Sequence, residues 1–137
     1  MIEKELKALL SESKHRELLA QFYWDKIIAQ TNYYFSDNNG GLEDKNITVR
    51  VREINGAYTL QIKTPISEEK ALHIKEEFEE PLTALPEMVS SNQLKTVANL
   101  SVGDALYNRF AAYLQAYLPL GRGYANMFGS KYLFEIY

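Results

Sequence analysis

Val49-Arg50-Val51-Arg52-Glu53-Ile54-Asn55-Gly56-Ala57-Tyr58-Thr59-Leu60-Gln61-Ile62-Lys63 is the stretch that decides how this chain folds. Two β-branched and aromatic runs, residues 47–54 and 57–64, flank Asn55-Gly56, the pair that tolerates the two positive φ angles of a type I′ turn. A two-residue turn sets the register. Counting outward from it, Ile54 faces Ala57, Arg52 faces Thr59, Arg50 faces Gln61 and Thr48 faces Lys63. Opposed residues share a face, so Arg50, Arg52 and Lys63 lie on one side while Val49, Val51, Leu60 and Ile62 occupy the other.

The same alternation recurs on either side of the hairpin. Near the start, Glu3, Glu5 and Lys7 alternate with Ile2, Lys4 and Leu6, which predicts a short strand with one charged face. Beyond Pro65, which is expected to stop the second hairpin strand, His73, Lys75, Glu77 and Glu79 fall on one side of a further strand, with Ile74 and Phe78 on the other. Between these, Ser11 or Ser13 caps a predicted helix carrying Leu18, Leu19, Phe22 and Tyr23, and a β-rich run spans residues 27–35. Asn38-Asn39-Gly40-Gly41 reads as a loop. From 103 to 118, Leu106, Phe110, Tyr113, Leu114 and Tyr117 recur at helical spacing, which predicts an amphipathic helix ended by Pro119; after it only residues 131–137 read as a strand.

Length and composition narrow the function. At 137 residues the chain is the size of one domain, and 46% hydrophobic with 24% charged residues is the balance of a globular protein. Fifteen basic against eighteen acidic residues leave a net charge of −3, which supplies no bulk field for DNA or a membrane surface. With no Cys and two His, a disulfide frame, a thiolate zinc site and a cysteine nucleophile are excluded, so a metal here is held by oxygen. No run approaches the ~18 apolar residues of a membrane span, and the N-terminal residues do not resemble a signal peptide, so the expected compartment is the cytoplasm.

One charged strand face is usually a solvated face, but several in succession point to a sheet curled so that its charged side lines a polar interior. Arg offers paired donors to phosphate oxygens, Lys a point charge, and clustered carboxylates suit a hard divalent cation. Together they describe a polyphosphate and its metal.

These residues also carry a resemblance. Glu3-Lys4-Glu5-Leu6-Lys7 matches the E-x-E-x-K signature of the CYTH family, the triphosphate tunnel metalloenzymes, and Asn32-Tyr33-Tyr34-Phe35, the Arg50/Arg52 pair, the hairpin through Lys63 and the strand through Glu77-Phe78-Glu79 follow in the family's order. The resemblance implies an α+β fold, an antiparallel β-barrel or tunnel with flanking helices, over a single domain of residues 1–137 in which 1–90 match well. It implies Mg²⁺ or Mn²⁺ as cofactor and hydrolysis of an inorganic, nucleoside or thiamine triphosphate, with a non-catalytic polyphosphate- or nucleotide-binding module and an adenylate cyclase as alternatives. Carried over by motif, Glu3 and Glu5 are metal or water-activating carboxylates, Glu77 and Glu79 further metal ligands, and Lys7, Arg50, Arg52 and Lys63 phosphate contacts. Lys75 joins them by strand parity alone. Residues 91–137 are expected to be divergent and helix-rich, leaving Arg109, Arg122, Lys131 and Glu135 unassigned and the tunnel either incomplete or completed by a second copy in a homodimer.

Overall fold

The computed structural model describes residues 1–69, 72–118, 123–128 and 131–136, with side chains up to residue 118 except at positions 5, 68, 69 and 113. Along the chain run β1 (Ile2–Leu10), α1 (Glu12–Gln21), β2 (Lys26–Ser36), α2 (Gly41–Asp44), β3 (Thr48–Ile54), β4 (Ala57–Glu69), β5 (Leu72–Leu82) and β6 (Met88–Val89). Then come α3 (Ser91–Ala98), β7 (Ala105–Tyr117), β8 (Gly123–Phe128) and β9 (Lys131–Ile136). The described strands form one antiparallel sheet in the order β2-β3-β4-β5-β1-β9-β8-β7-β6, and β7 pairs with β2 as well. Every described strand except β6 therefore has a neighbour on both sides.

The hairpin has the register its turn demands, from Ile54 opposite Ala57 out to Thr48 opposite Lys63. Asn55 and Gly56 take φ of 52° and 79°, the left-handed pair of a type I′ turn. The apolar side of β3 and β4 is the core side: Val49, Val51, Leu60 and Ile62 are buried with Phe35, Leu42, Val89, Leu94 and Ala98. Leu94 and Ala98 belong to α3, whose N-cap Ser90 accepts a hydrogen bond from the amide of Gln93 and whose end is marked by left-handed Asn99. Helix and hairpin thus pack on the outside of the sheet, and burial of each Leu, Ile or Val there stabilises the fold by ~1.5–3 kcal/mol. The charged side is left to face inward. At the other helix, Ser11 is the N-cap of α1, accepting from the amide of Lys14.

Two expectations are corrected. Pro65 does not end β4, which continues to Glu69; the register shifts between Pro65 and Ser67, and a bulge is where a residue lacking an N–H fits in a ladder. The helix expected over residues 103–118 is instead the strand β7, paired along the whole of β2. Its misleading period has a physical source. Tyr34 pairs with Arg109 but Phe35 with Tyr107, so Asn108 is an inserted residue and the side chains flip face there. Tyr107 and Phe110, three apart, both pack on Tyr33 with ring centroids at 6.4 and 6.3 Å. Spacing by three on one face imitates a helix. β7, β8 and β9 supply neighbours to β2 and β1, and residues 91–137, expected to be helix-rich, are mostly strand where described.

Nothing lies within 4 Å of a methyl group placed on Gly56, so replacing it tests the turn without a clash. Gly56→Ala is expected to lower the unfolding free energy by about 1 kcal/mol through the left-handed φ alone. Urea denaturation measures this, and an unchanged midpoint would show that the turn does not hold the hairpin.

Candidate functional site

Cross-strand register assembles the inner face. Glu3 on β1 stands opposite Lys75 on β5, Lys63 on β4 opposite Glu77, and Gln61 opposite both Glu79 and Arg50. Arg52 stands opposite Asn32, and Arg50 opposite Tyr34, on β2. A cavity of about 730 Å³ opens on this face, lined by Arg50, Arg52 and Lys63 together with Glu3, Glu77 and Glu79. Gln61 and Tyr117 also line it. Six of the residues singled out from the sequence are therefore brought to one cavity.

The other three are not placed against it. Lys7 pairs with Glu135 on β9 and Lys75 lies opposite Glu3 and Pro65, both half-buried and neither lining the cavity. Glu5 pairs through its backbone with His73, and its side chain lies outside the described residues. So do Arg122 and the side chains of Lys131 and Glu135. Arg109 sits in β7 with its guanidinium 4.3 Å from the centre of the Tyr34 ring, beside a smaller, separate pocket. Trp24 packs at the end of α1: its Nε1 donates to the Leu19 carbonyl at 3.0 Å and its ring meets Phe22 edge-on.

The electrostatics centre on one buried contact. Lys63 Nζ lies 3.1 Å from Glu3 Oε1, with side chains only 9% and 11% exposed. Burial pushes the Glu3 carboxyl up, but the hydrogen bond with Glu77, the charge and hydrogen bond of Lys63 and the charge of Arg50 outweigh it and hold the pKa at about 2. Glu77 goes the other way. Burial first, then its hydrogen bond to Glu3, raise its pKa to about 8 against the pull of Lys63. The closeness of the two carboxylates thus favours the ionised form of Glu3 and the protonated form of Glu77.

These oxygens fit a divalent cation. Carboxylates from neighbouring strands are the donors that Mg²⁺ or Mn²⁺ takes, and a small hard cation that keeps several waters needs only one or two of them. Among the described residues no three His, Asp or Glu side chains converge as a complete metal cage, so any cation here would rest on few protein ligands and on its water.

Sequence reasoning overlooked the buried amides. Gln30 Nε2 donates to Gln115 Oε1 and, at 2.6 Å, to Tyr117 Oη, which donates to Gln115 Oε1 at 2.6 Å. Gln61 and Asn32 contact the two arginines of β3. Gln61 carried a signal in its position opposite Arg50 in the hairpin register, and Asn32 in opening the Asn32-Tyr33-Tyr34-Phe35 motif, but neither was given a role.

The comparisons with known proteins agree with this fold. A family model, the CYTH domain, matches residues 1–106, and the chain belongs to that family. Among solved structures, a Hippeastrum protein described as an adenylyl cyclase candidate with dominant triphosphatase activity is similar at 18% identity and a TM-score of 0.71, over 98% of this chain and 78% of that one. A Bacillus halodurans protein described as an adenylate cyclase candidate is similar at 17% identity and TM-score 0.67, over 96% and 77% of the two chains. A Pyrococcus horikoshii protein gives 12% identity and TM-score 0.67, over 97% and 76%. No curated protein sequence matches the chain. The family match reaches past residue 90, into the start of β7.

The proton on Glu77 has a pH signature. Without divalent cation, Glu77, with its folded pKa of about 8 above its ordinary 4.5, makes stability fall as pH rises across that interval. Glu3, held at about 2, makes it rise between about 2 and 4.5. Melting temperatures in EDTA at about pH 5 and about pH 9 are expected to differ less in Glu77→Gln than in the wild type, and parallel curves would refute the protonated Glu77.

Proposed function

We propose that this protein hydrolyses the terminal phosphoryl group of a triphosphate, inorganic or carried by a nucleoside or thiamine, with Mg²⁺ or Mn²⁺ as cofactor. The observation that carries the reading is the meeting of Arg50, Arg52 and Lys63 with Glu3, Glu77 and Glu79 around one cavity. Phosphoryl transfer asks little covalent chemistry of a protein; it asks for charge neutralisation and alignment. In this reading the guanidiniums of Arg50 and Arg52 and the ammonium of Lys63 bind phosphate oxygens, with Lys7 and Lys75 farther along the same face. Glu3, Glu5, Glu77 and Glu79 hold the cation. Once bound, it would polarise phosphoryl oxygens and lower the pKa of coordinated water.

The chain's own groups do the rest. Glu3, once Lys63 turns to the phosphate, would orient the attacking water and accept its proton, whereas Glu77 starts protonated and would release its proton to solvent when a cation binds. Lys63 moves from Glu3 to the phosphate, the more highly charged partner. No helix among the described residues is long and apolar enough to cross a membrane, and we place the activity in the cytoplasm.

Phosphate release from tripolyphosphate and from ATP, with Mg²⁺, Mn²⁺ or EDTA, tests this. Turnover is expected with metal only, and to fall by about 100-fold or more in Glu3→Gln and Glu5→Gln. Lys63→Ala is expected to act mainly by raising KM. Tight tripolyphosphate binding with no release under any condition would leave a polyphosphate-binding module in place of an enzyme, and no binding at all would end both readings.

A further inference from the structure

Arg50 and Arg52 lie two apart on β3 and both line the cavity. Each is gripped in the same way. The Nε of Arg50 donates to Gln61 Oε1 at 2.8 Å, and the Nε of Arg52 donates to Asn32 Oδ1 at 3.2 Å. The two amides come from opposite neighbours of β3, Gln61 from β4 and Asn32 from β2, and are only 5% and 1% exposed. Their far ends are also engaged: Gln61 Nε2 donates to Glu79 Oε1 at 2.8 Å, and Asn32 Nδ2 to Tyr34 Oη at 3.4 Å.

The choice of amide carries the meaning. A guanidinium only donates and a carboxylate only accepts, so a group standing between Arg50 and Glu79 has to accept on one side and donate on the other. A primary amide does both and has no charge. A carboxylate at position 61 or 32 would orient the guanidinium equally well but would also act as its counter-ion. We propose that Gln61 and Asn32 are positioning residues, neutral clamps that set the planes of Arg50 and Arg52 through Nε without cancelling their charge. With Nε taken by the amide, each arginine meets an oxyanion end-on, through its two terminal nitrogens, the geometry that makes two parallel bonds to one phosphate. Gln61 does a second thing. Occupying the row Arg50, Gln61, Glu79 across three strands, it keeps that cation and that carboxylate from pairing with each other.

This inference rests on the polyphosphate reading above for its ligand, but its geometry can be read without one. Asn32→Asp is the sharper variant, because Gln61→Glu would also set a carboxylate beside Glu79. The probe is inorganic tripolyphosphate, by calorimetry, with melting temperature as control and the arginine Nε–H resonances of the ligand-free protein by ¹⁵N NMR. Asn32→Asp is expected to keep the Arg52 Nε–H signal and the melting temperature, yet to bind tripolyphosphate about 10-fold more weakly with a shallower salt dependence. Asn32→Leu and Gln61→Met are expected to lose the slow solvent exchange of the Arg52 and Arg50 signals respectively. Wild-type affinity in Asn32→Asp, or unchanged Nε–H exchange in the apolar variants, overturns the proposal. If the wild type binds no tripolyphosphate, the function proposed above falls, and the exchange data alone then decide whether the clamps exist. Should Asn32→Asp fail to fold, Gln61→Glu supplies the affinity comparison.

Discussion

The buried contact between Lys63 and Glu3 is the constraint on which the rest of the structure turns. β3 and β4 spend their apolar side on the external core with α3, so their charged side has nowhere to go but inward. Taking a charge out of water is costly, and removing one partner from a buried pair costs more than the pair contributes. The inner face therefore has to balance its own charges within the cavity. It does so by bringing opposite signs together across strands: basic on β3, acidic on β5, with Lys63 on β4 opposite Glu77 and reaching Glu3 on β1.

What was legible in the sequence follows from how short-range the governing physics is. Asn55-Gly56 sets the turn, the turn sets the register, and the register sets which residues share a face; each step depends only on neighbours in the chain. The faces of β1 and β5 were readable for the same reason, since period-two alternation survives whatever the strands pair with. The site followed because its residues sit on those three segments.

The parts that were not legible depend on partners remote in sequence. β7 reads as a helix in isolation because one inserted residue, Asn108, moves Tyr107 and Phe110 onto the same face, and only pairing with β2 reveals the bulge. Pro65 reads as a terminator because its missing N–H is costly in a regular ladder, and only the partner strand shows that the ladder is irregular there. The role of the amides went unread for a different reason. Gln and Asn have no preferred face, and their value to Arg50 and Arg52 appears only when the donors and acceptors on three adjacent strands are counted together.

The same counting shows why the cavity, on the proposed reading, takes its two ligands together. Lys63 is the cation in contact with Glu3, Arg50 adds its charge from nearby, and Glu77 still favours its protonated form. A phosphate that draws Lys63 away strips Glu3 of its partner and makes a cation at the carboxylates more favourable. A cation that displaces the Glu77 proton and neutralises Glu3 releases Lys63 in turn. Thermodynamic linkage makes these two statements one, since whatever the anion adds to the affinity for the cation, the cation adds to the affinity for the anion. Arg50 lends its charge to Glu3 as well, but on the clamp proposal it and Arg52 keep the same orientation whichever ligand arrives first, because their clamps are neutral.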